Sequence, residues 1–435
     1  MQSLSGEHSV IRWYPPAYDI RIEKIQIPRI EHPDDAIVKV KLAGLCGSDL
    51  HIYRGTEGIK EPLVCGHEFI GQVVALGSSF HSGATGRPHL YSTLKVGDNV
   101  VSPFTVSCGE CSPCRVGFTC RCVDSRLFGT PHTPGGQAQY VRVPKAGGTL
   151  FNLQDIWTVC GDPKQETRDS IGKLADSSLL LLCDILPTGV FAAFQALNHP
   201  KIVPMLASCA YPHSTGAAAS ASAVLAPLQP QDVCLTVAVI GLGPVGLCAC
   251  IAALDMLQAK GVNFRIIAID PIESRRKKAA AIYAKISETW KEAKLGEFKV
   301  SDINGSQGIV SAWTHDIGCN AVLEVVGNNS ALSLAYELVR PIGCISSVGV
   351  HADVQIPYSG QQLYDKNVSL DFGRCPVRTM FPMALDLLLR TQDVFGEVGG
   401  EVGLVEKIVG FDVAAQTYDD FDHGRCGKVL FDPWR

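Results

Sequence analysis

Four cysteines stand close together with the spacing C-x2-C-x2-C-x7-C: Cys108, Cys111, Cys114 and Cys122. Four thiolates this close in sequence can complete a tetrahedral shell around zinc, and a closed shell leaves no position for a substrate. The spacing therefore predicts a structural zinc site, with Cys120 as an alternative to Cys122 for the fourth ligand.

Two further potential zinc ligands lie earlier in the chain. Cys46 lies in the segment GLCGSDLHIYRG, and His67 lies in GHEFIGQVVALG. Each is a weak signal by itself, because a single cysteine or histidine usually packs in a core. Together with the downstream cysteine cluster they indicate an open zinc site, which takes three protein ligands and leaves a fourth position for water or substrate.

A glycine-rich turn indicates a nucleotide site. The pattern Gly241-x-Gly243-x-x-Gly246 follows the apolar run Leu235 to Ile240 and opens an apolar helical stretch. This is the context of the dinucleotide fingerprint, in which a tight turn and a helix N-terminus approach a pyrophosphate. The next apolar run ends at Asp270. A carboxylate there accepts hydrogen bonds from the adenosine ribose and repels a 2′-phosphate, so we expect NAD rather than NADP.

The elements that must position these groups change in type along the chain. From about residue 20 to residue 175 the pattern predicts short strands and many turns. From Thr188 to about Val350, buried apolar runs alternate with helical stretches, which is typical of a doubly wound parallel sheet. Ser78 to Thr93 and Ser208 to Gln231 are biased in composition and read as insertions, so we expect mobile surface loops there.

Composition narrows the possible classes of protein. The 435 residues are 46% apolar and 19% charged, which is typical of a globular protein with two or three domains. A net charge of −5 provides no basic field for nucleic acid or an anionic membrane. The uncharged stretch Cys234 to Leu254 is long enough to span a bilayer, but its glycines and proline favour a buried strand, turn and helix.

The chain contains 17 cysteines, and Met1 to Val10 has no basic region followed by an apolar run. We therefore expect no signal peptide and a reducing, cytoplasmic location. In such a compartment thiols serve more often as metal ligands or buried side chains than as disulfides.

Four motifs occur in a characteristic order: GLCGSDLHIYRG, GHEFIGQVVALG, the cysteine cluster and VAVIGLGPVGL. In this the chain resembles the zinc-containing alcohol dehydrogenases of the medium-chain dehydrogenase/reductase superfamily, over almost its whole length apart from the two insertions. The resemblance implies an α/β protein with a β-rich, GroES-like catalytic domain, residues 1–187 and 351–435. A Rossmann domain, residues 188–350, would be inserted into it. A homo-oligomer, either dimer or tetramer, is also implied.

The same resemblance implies two zinc ions per chain and makes Cys46 and His67 ligands of the catalytic one. Its third ligand should precede the Thr-Gly pair at 188–189, and the register selects Asp184, with Cys183 as the rival. In this the segment is similar to that of glutathione-independent formaldehyde dehydrogenases. A carboxylate is a harder ligand than a thiolate, so we expect a more Lewis-acidic zinc.

Further site residues follow from the resemblance. Glu68 would lie close to the zinc, and Asp49 would accept the second ring N–H of His67. Ser48 and His51 would relay the proton of the substrate towards solvent.

Additional coenzyme contacts are assigned to the glycine turn, to two loops at strand ends, and to two basic residues. They are Pro244, Val245, Arg275, Val326, Gly327, Val348 and Lys428. Lys428 is expected near the pyrophosphate, with a solvated surface position as the alternative. Arg275 keeps NADP open as the coenzyme.

The activity that follows is hydride transfer between a zinc-bound primary, secondary or polyol alcohol and the nicotinamide of NAD. The segment CDILPTG prompts an alternative, an NAD-dependent aldehyde dehydrogenase or dismutase of the formaldehyde type. A second alternative is a non-catalytic NAD-binding zinc protein.

Overall fold

The computed structural model describes residues 5–155, 171–207, 229, 232–289, 296–353 and 355–435. The chain divides into two compact units: Met1–Pro187 with Pro376–Arg435, and Thr188–Cys375. The second division lies at 375/376, whereas the sequence placed it at 350/351. The reason is that residues 369–372 form a strand that continues the parallel sheet of the second unit.

Both units combine strands with helices, numbered in chain order. The strands are β1 Glu7–Tyr14, β2 Asp19–Gln26, β3 Ala36–Gly44, β4 Leu63–Val64, β5 Phe69–Leu76, β6 Asn99–Ser102, β7 Tyr140–Val143, β8 Phe151–Asn152, β9 Leu235–Ile240, β10 Phe264–Ile269, β11 Gly296–Ser301, β12 Cys319–Glu324, β13 Val339–Ser347, β14 Ser369–Phe372, β15 Val405–Val409 and β16 Lys428–Phe431. The helices are α1 Asp49–Tyr53, α2 Leu90–Thr93, α3 Ser112–Arg115, α4 Ala146–Thr149, α5 Asp176–Leu180, α6 Ile185–Leu197, α7 Val203–Leu206, α8 Pro244–Ala259, α9 Glu273–Thr289, α10 Ile303–Thr314, α11 Asn329–Leu338, α12 Gly360–Lys366, α13 Val377–Arg390, α14 Gln392–Phe395 and α15 Ala414–Asp422.

The first unit is built on mostly antiparallel sheets of short strands, and short strands with many turns are what the sequence predicted. One sheet has the order β15-β16-β3-β5-β6-β8, with β7 also paired to β3, and a smaller sheet has the order β2-β1-β4. Strand β3 shows the cause of this arrangement, because Val38 and Val40 are buried while Lys41 points to solvent. The core beneath the larger sheet includes Phe69 and Phe128, whose rings meet edge to face with centroids 5.1 Å apart.

The second unit contains a six-stranded, all-parallel sheet in the order β11-β10-β9-β12-β13-β14. Helices connect successive strands, and every residue of the central strand β9 is buried. A strand that is covered on both faces needs apolar side chains throughout, which explains the run LTVAVI. The strand order is that of a doubly wound nucleotide-binding fold, so the predicted Rossmann domain is confirmed.

The two predicted insertions have different outcomes. In the Ser78 to Thr93 segment the expectation of a mobile surface loop is wrong for the second half, because Leu90 and Tyr91 are buried and Phe80 packs on Tyr91 with ring centroids 5.0 Å apart. The Ser208 to Gln231 segment, apart from Gln229, lies outside the described residues.

Cys234 to Leu254 forms β9, the glycine turn and most of α8, as predicted. Across the described ranges no single helix is long and apolar enough to cross a membrane. One bent pair of helical segments, Asp176–Cys183 with Ile185–Leu197, passes that test jointly by length and composition alone.

Arg87 anchors the first insertion to the rest of the unit. Its guanidinium forms two hydrogen bonds to the buried carboxylate of Asp34, at 2.9 and 3.1 Å, and lies 2.7 Å from Glu110 Oε1. It also stacks over the ring of Tyr91, at 3.7 Å from the centroid. Asp34 accepts one further hydrogen bond, from Lys145 at 3.2 Å, so Arg87 supplies most of the positive charge that compensates the buried carboxylate.

We predict that Arg87→Ala lowers the free energy of unfolding by roughly 2 kcal/mol, because it removes most of the positive charge that compensates a buried carboxylate. Urea denaturation at neutral pH measures this loss. Arg29→Ala is the matched control, since Arg29 is exposed, and it should change stability by less than about 0.5 kcal/mol. Equal losses in both variants would contradict an anchoring role for Arg87.

Candidate functional site

Cys46, His67 and Asp184 converge from three separate segments of the first unit. Cys46 follows β3, His67 precedes β5, and Asp184 lies between a short 3-10 turn and α6. Their ligand atoms all lie within 4.8 Å of one another. Nε2 of His67 is 3.4 Å from Oδ2 of Asp184, and Sγ of Cys46 is 3.6 Å from the same oxygen. Tetrahedral zinc with bonds of about 2.0 to 2.3 Å requires separations of about 3.4 and about 3.6 Å for these pairs, so the three donors fit that ion.

The geometry distinguishes Asp184 from its rival. The thiol of Cys183 is buried and donates to the backbone oxygen of Phe69 at 3.3 Å. Adjacent residues at the start of a helix point in different directions, and here only the carboxylate of Asp184 joins Cys46 and His67. The structure therefore groups Asp184 with the other two candidate ligands.

Asp49 fixes the orientation of the His67 ring. Oδ1 of Asp49 lies 3.1 Å from Nδ1 of His67, and its other oxygen accepts the backbone N–H of Cys46 at 2.9 Å. With Nδ1 donating to a carboxylate, the lone pair of Nε2 is available for a metal. The carboxylate thus holds two of the three candidate ligands in position.

Ser48 and His51 lie on the same short segment. The hydroxyl of Ser48 is 3.2 Å from Nε2 of His67 and 3.4 Å from Sγ of Cys46, so it borders the donor triangle. His51 lies on α1 and is partly buried, and this burial lowers the pKa of its ring. In the described structure the two side chains are not hydrogen-bonded to each other, so a relay between them needs an intervening hydroxyl group or water molecule.

The structure contradicts the alternative of a solvated surface position for Lys428. Its side chain is buried in β16, and its ammonium contacts Oε2 of Glu68 and lies 3.1 Å from the backbone oxygen of Leu45. A buried ammonium needs a carboxylate partner, and Glu68 supplies it. Gly44 leaves room for this pair, because a Cβ at that position would overlap with the Glu68 carboxylate. Lys428 therefore lies beside the candidate zinc site and not on a solvated surface, and the pyrophosphate contact stays a prediction.

The three candidate ligands and the neighbouring Glu68 are buried, and acidic groups outnumber basic ones among them. Burial raises the pKa of the Cys46 thiol, and the neighbouring charges of Glu68 and Asp184 raise it further. Burial lowers the pKa of His67, but the nearby carboxylates outweigh burial and raise it well above its ordinary value. Oε1 of Glu68 is buried with no hydrogen-bond partner among the described residues. A divalent cation would offset each of these costs, because zinc binds deprotonated thiol, neutral imidazole and carboxylate.

The four-cysteine cluster forms as the spacing predicted. The sulfur atoms of Cys108, Cys111, Cys114 and Cys122 lie within 4.8 Å of one another, and those of Cys111 and Cys122 are 3.8 Å apart. Bonds of about 2.3 Å at tetrahedral angles require about 3.8 Å between sulfurs. Cys120 is buried but is not part of the group, so the geometry favours Cys122.

Backbone N–H groups around the cluster donate to its sulfurs. Cys108 N–H donates to Cys122 Sγ at 3.2 Å, and Cys111 N–H donates to Cys108 Sγ at 3.3 Å. Desolvation raises the pKa of the Cys111 thiol, but N–H donors outweigh it and lower the pKa to about 6. Such donors stabilise the thiolate form that ligates zinc.

In the second unit, the glycine turn has the geometry of the dinucleotide fingerprint. Gly241 has φ +94°, and a Cβ at Gly246 would overlap with the backbone oxygen of Gly241. Helix α8 begins at once with Pro244 and Val245, so its free N–H groups face the end of β9. The site can therefore accept a pyrophosphate.

Asp270 follows β10 and is also bonded to this turn. Its carboxylate accepts the N–H of Leu242 and the N–H of Ile272, each at 2.8 Å. Nη1 of Arg275 lies 3.4 Å from Oδ2 of Asp270, so the predicted acidic group and the nearby basic residue meet. Asp270 therefore shapes the glycine turn in addition to any contact with a ribose.

Val326, Gly327 and Val348 lie in loops at the carboxyl ends of β12 and β13, the edge at which parallel sheets bind ligands. Glu324, which sequence reasoning missed, ends β12 and accepts the N–H groups of Val326 and Gly327, both at 2.8 Å. The sequence feature that could have identified Glu324 is its position inside the apolar run Ala321 to Val326, where burying an uncompensated charge would be costly.

Comparisons with known proteins support both units. Residues 32–155 match the family model of the alcohol dehydrogenase GroES-like domain, and residues 244–390 match that of the zinc-binding dehydrogenases. A zinc-type alcohol dehydrogenase B of Aspergillus flavus is 36% identical over 95% of this chain and 79% of its own length. A formaldehyde dismutase of Pseudomonas putida is 26% identical over 99% of this chain and 98% of its own.

Solved structures agree. The alcohol dehydrogenase TADH from Thermus sp. ATN1 matches 98% of this chain and 99% of its own, with 28% identity and a TM-score of 0.70. These relatives are enzymes, so the alternative of a non-catalytic zinc protein is not retained. The chain belongs to the zinc-containing alcohol dehydrogenases of the medium-chain dehydrogenase/reductase superfamily, and it is a zinc-dependent oxidoreductase that acts on CH–OH groups.

Proposed function

We propose that the protein is an NAD-dependent alcohol dehydrogenase that holds one catalytic and one structural zinc ion per chain. The observation that carries this proposal is the convergence of Cys46, His67 and Asp184 at tetrahedral zinc separations, with the Ser48 hydroxyl beside them. Three protein donors leave a position for a substrate oxygen, whereas the four cysteines form a closed shell. A dimer or tetramer remains a prediction.

A bound zinc ion would supply the Lewis acid that lowers the pKa of a substrate hydroxyl, and a bound nicotinamide would supply the hydride acceptor. The side chains of this protein transfer the proton and orient the candidate zinc ligands. Ser48 takes the proton of the alcohol as its own proton passes, through an intervening hydroxyl or water, to His51. Asp49 keeps Nε2 of His67 directed at the donor triangle. The same steps in reverse reduce a carbonyl.

Asp270 supports NAD as the coenzyme. Its buried carboxylate stands at the end of β10 beside the glycine turn, where a 2′-phosphate would meet a negative charge. Arg275 lies on the exposed side of that carboxylate and partly offsets the repulsion. The balance favours NAD because the aspartate is the buried, fixed member of the pair.

One observation favours a second function, oxidation or dismutation of aldehydes. The third donor is a carboxylate, as the segment CDILPTG suggested, and a formaldehyde dismutase is among the relatives. In this reaction the hydride donor is the hydrate of an aldehyde, which becomes an acid. In a dismutation a second aldehyde takes the hydride back and becomes an alcohol, so no NADH accumulates.

Following NADH at 340 nm with primary alcohols, secondary alcohols and polyols tests the proposed function. We expect NADH formation with at least one alcohol, and loss of the signal after incubation with a zinc chelator because the substrate oxygen then has no Lewis acid. Formaldehyde is tested in parallel, with acid and alcohol products quantified. Acid formation from aldehyde alone, with or without NADH, would replace the first function by the second.

We predict that Asp184→Asn lowers the zinc content from about two ions per chain to about one and lowers turnover at least about 100-fold, because a neutral amide is a poor zinc ligand. Elemental analysis and initial rates measure both. Asp184→Cys, which restores an anionic donor, should recover the second zinc. Cys183→Ala is the matched control and should retain both ions, and loss of zinc in that variant alone would make Cys183 the ligand.

We predict that Asp270→Ser raises the ratio of kcat/KM for NADP to that for NAD at least about 10-fold, because the charge that opposes a 2′-phosphate is removed. Arg275→Ser should move the ratio in the opposite direction. Steady-state kinetics with both coenzymes measure the two shifts. An unchanged ratio in Asp270→Ser would remove Asp270 from coenzyme selection.

A further inference from the structure

Glu324 is a fully buried carboxylate that the proposed mechanism does not use. Besides the N–H groups of Val326 and Gly327 on Oε1, it accepts the hydroxyl of Ser347 on Oε2 at 2.6 Å. Nε2 of His351 lies 3.3 Å from the same Oε2. Glu324 ends β12 and Ser347 ends β13, so the carboxylate joins two neighbouring strand ends.

The hydrogen atoms of this cluster can be assigned from its geometry. The oxygen of Ser347 lies 2.7 Å from Nε2 of His351 as well as 2.6 Å from the carboxylate of Glu324. A hydroxyl has one hydrogen, and an ionised carboxylate only accepts, so Ser347 donates to Glu324 and His351 donates to Ser347. The same ring nitrogen faces both partners, which is not the arrangement that activates a serine as a nucleophile.

The carboxylate is charged at neutral pH. Burial raises the pKa of Glu324, but the hydrogen bonds from His351, Ser347 and the two backbone N–H groups outweigh burial and lower it. The other groups near the cluster are the phenol of Tyr358, whose pKa is raised chiefly by burial and also by the charge of Glu324, and the ring of Phe372, 5.2 Å from His351. His351 thus adds a polar ring nitrogen to the hydrogen-bonded surroundings of this buried charge.

The two loops that Glu324, Ser347 and His351 connect pack tightly against the glycine turn. Gly327 has φ +83°, and a Cβ at Gly349 would overlap with the backbone of Gly327. A Cβ at Gly241 would meet the side chain of Val326 at 2.6 Å. The turn, the loop after β12 and the loop after β13 therefore contact one another in series, and a shift at one of them is transmitted to the next.

We propose that His351, acting through Ser347 and Glu324, is a positioning residue for the nicotinamide half of the coenzyme. The cluster sets the backbone of residues 325–327 and 348–350, at the sheet edge where parallel folds bind their ligands. This inference rests on the proposed function, in that the ligand of this edge is a nicotinamide dinucleotide. On this proposal, the position of the two loops depends on the hydrogen bond from His351 to Ser347, and the affinity for the nicotinamide half depends on the position of the loops.

The test compares His351→Ala, His351→Gln and the control His315→Asn in the full-length, zinc-loaded protein. His315 is exposed, lies at the other end of the sheet, and has a left-handed backbone conformation that asparagine tolerates. NADH fluorescence gives a Kd without turnover, so the result does not depend on which alcohol or aldehyde is the substrate. Competition by ADP-ribose, which lacks only the nicotinamide ring, reports on the affinity for the rest of the coenzyme.

We expect His351→Ala to weaken NADH binding about tenfold while ADP-ribose binding and zinc content stay unchanged. Gln, whose amide N–H can donate to Ser347, should restore most of the affinity, and His315→Asn should behave as the wild-type protein does. Unchanged NADH binding in His351→Ala, or equal loss of NADH and ADP-ribose, would overturn the proposal. If the wild-type protein binds NADH but oxidises no alcohol, the proposed function is wrong. The comparison of NADH binding among the His351 variants then still tests this inference.

Discussion

The candidate site in the first unit depends on the electrostatic cost of burying several acidic groups close together, away from water. The thiol of Cys46 and the carboxylates of Asp184 and Glu68 lie within one buried region, and burial raises the pKa of the thiol. Lys428 pairs with Glu68, and Asp49 orients His67, so both neighbouring carboxylates are engaged outside the donor triangle. A dication bound by Cys46, His67 and Asp184 would offset the cost of burying a thiolate beside a carboxylate, which is why this arrangement of buried residues indicates a metal site.

The second unit uses buried carboxylates for a different purpose. Asp270 and Glu324 both end or follow parallel strands, and each accepts two backbone N–H groups from the loops beyond the strand. Because N–H groups at such an edge would otherwise be unpaired, the carboxylates fix loop conformation before any ligand arrives. The proposed coenzyme edge is thereby preorganised on both sides of the glycine turn, by Asp270 after one strand and Glu324 at the end of another.

The sequence predicted those features that depend on local pattern. The bounds of β9 agree with the apolar run Leu235 to Ile240, since a strand buried on both faces requires such a run. It missed what depends on distant partners. Lys428 is buried because β16 pairs with β3, a strand from the opposite end of the chain, and no spacing rule encodes that pairing. Arg87 likewise orders an insertion only because Asp34 lies opposite it. The ligand and relay roles remain predictions, because geometry shows proximity but not chemistry.

The carboxylate at position 184 changes the hardness of the donor set and not its charge. A second thiolate in that place would give the same formal sum as Asp184, namely two anionic donors and one neutral imidazole. Glu68 does not alter this sum, because the ammonium of Lys428 cancels it within the same buried region. The difference therefore lies in polarisability, since a carboxylate oxygen passes less electron density to the ion than sulfur does. A harder site withdraws more density from a substrate oxygen, which favours ionising weakly acidic alcohols and hydrating aldehydes alike. For this reason the hardness of the proposed zinc site serves both candidate functions, and the choice between them also depends on the residues that admit the substrate.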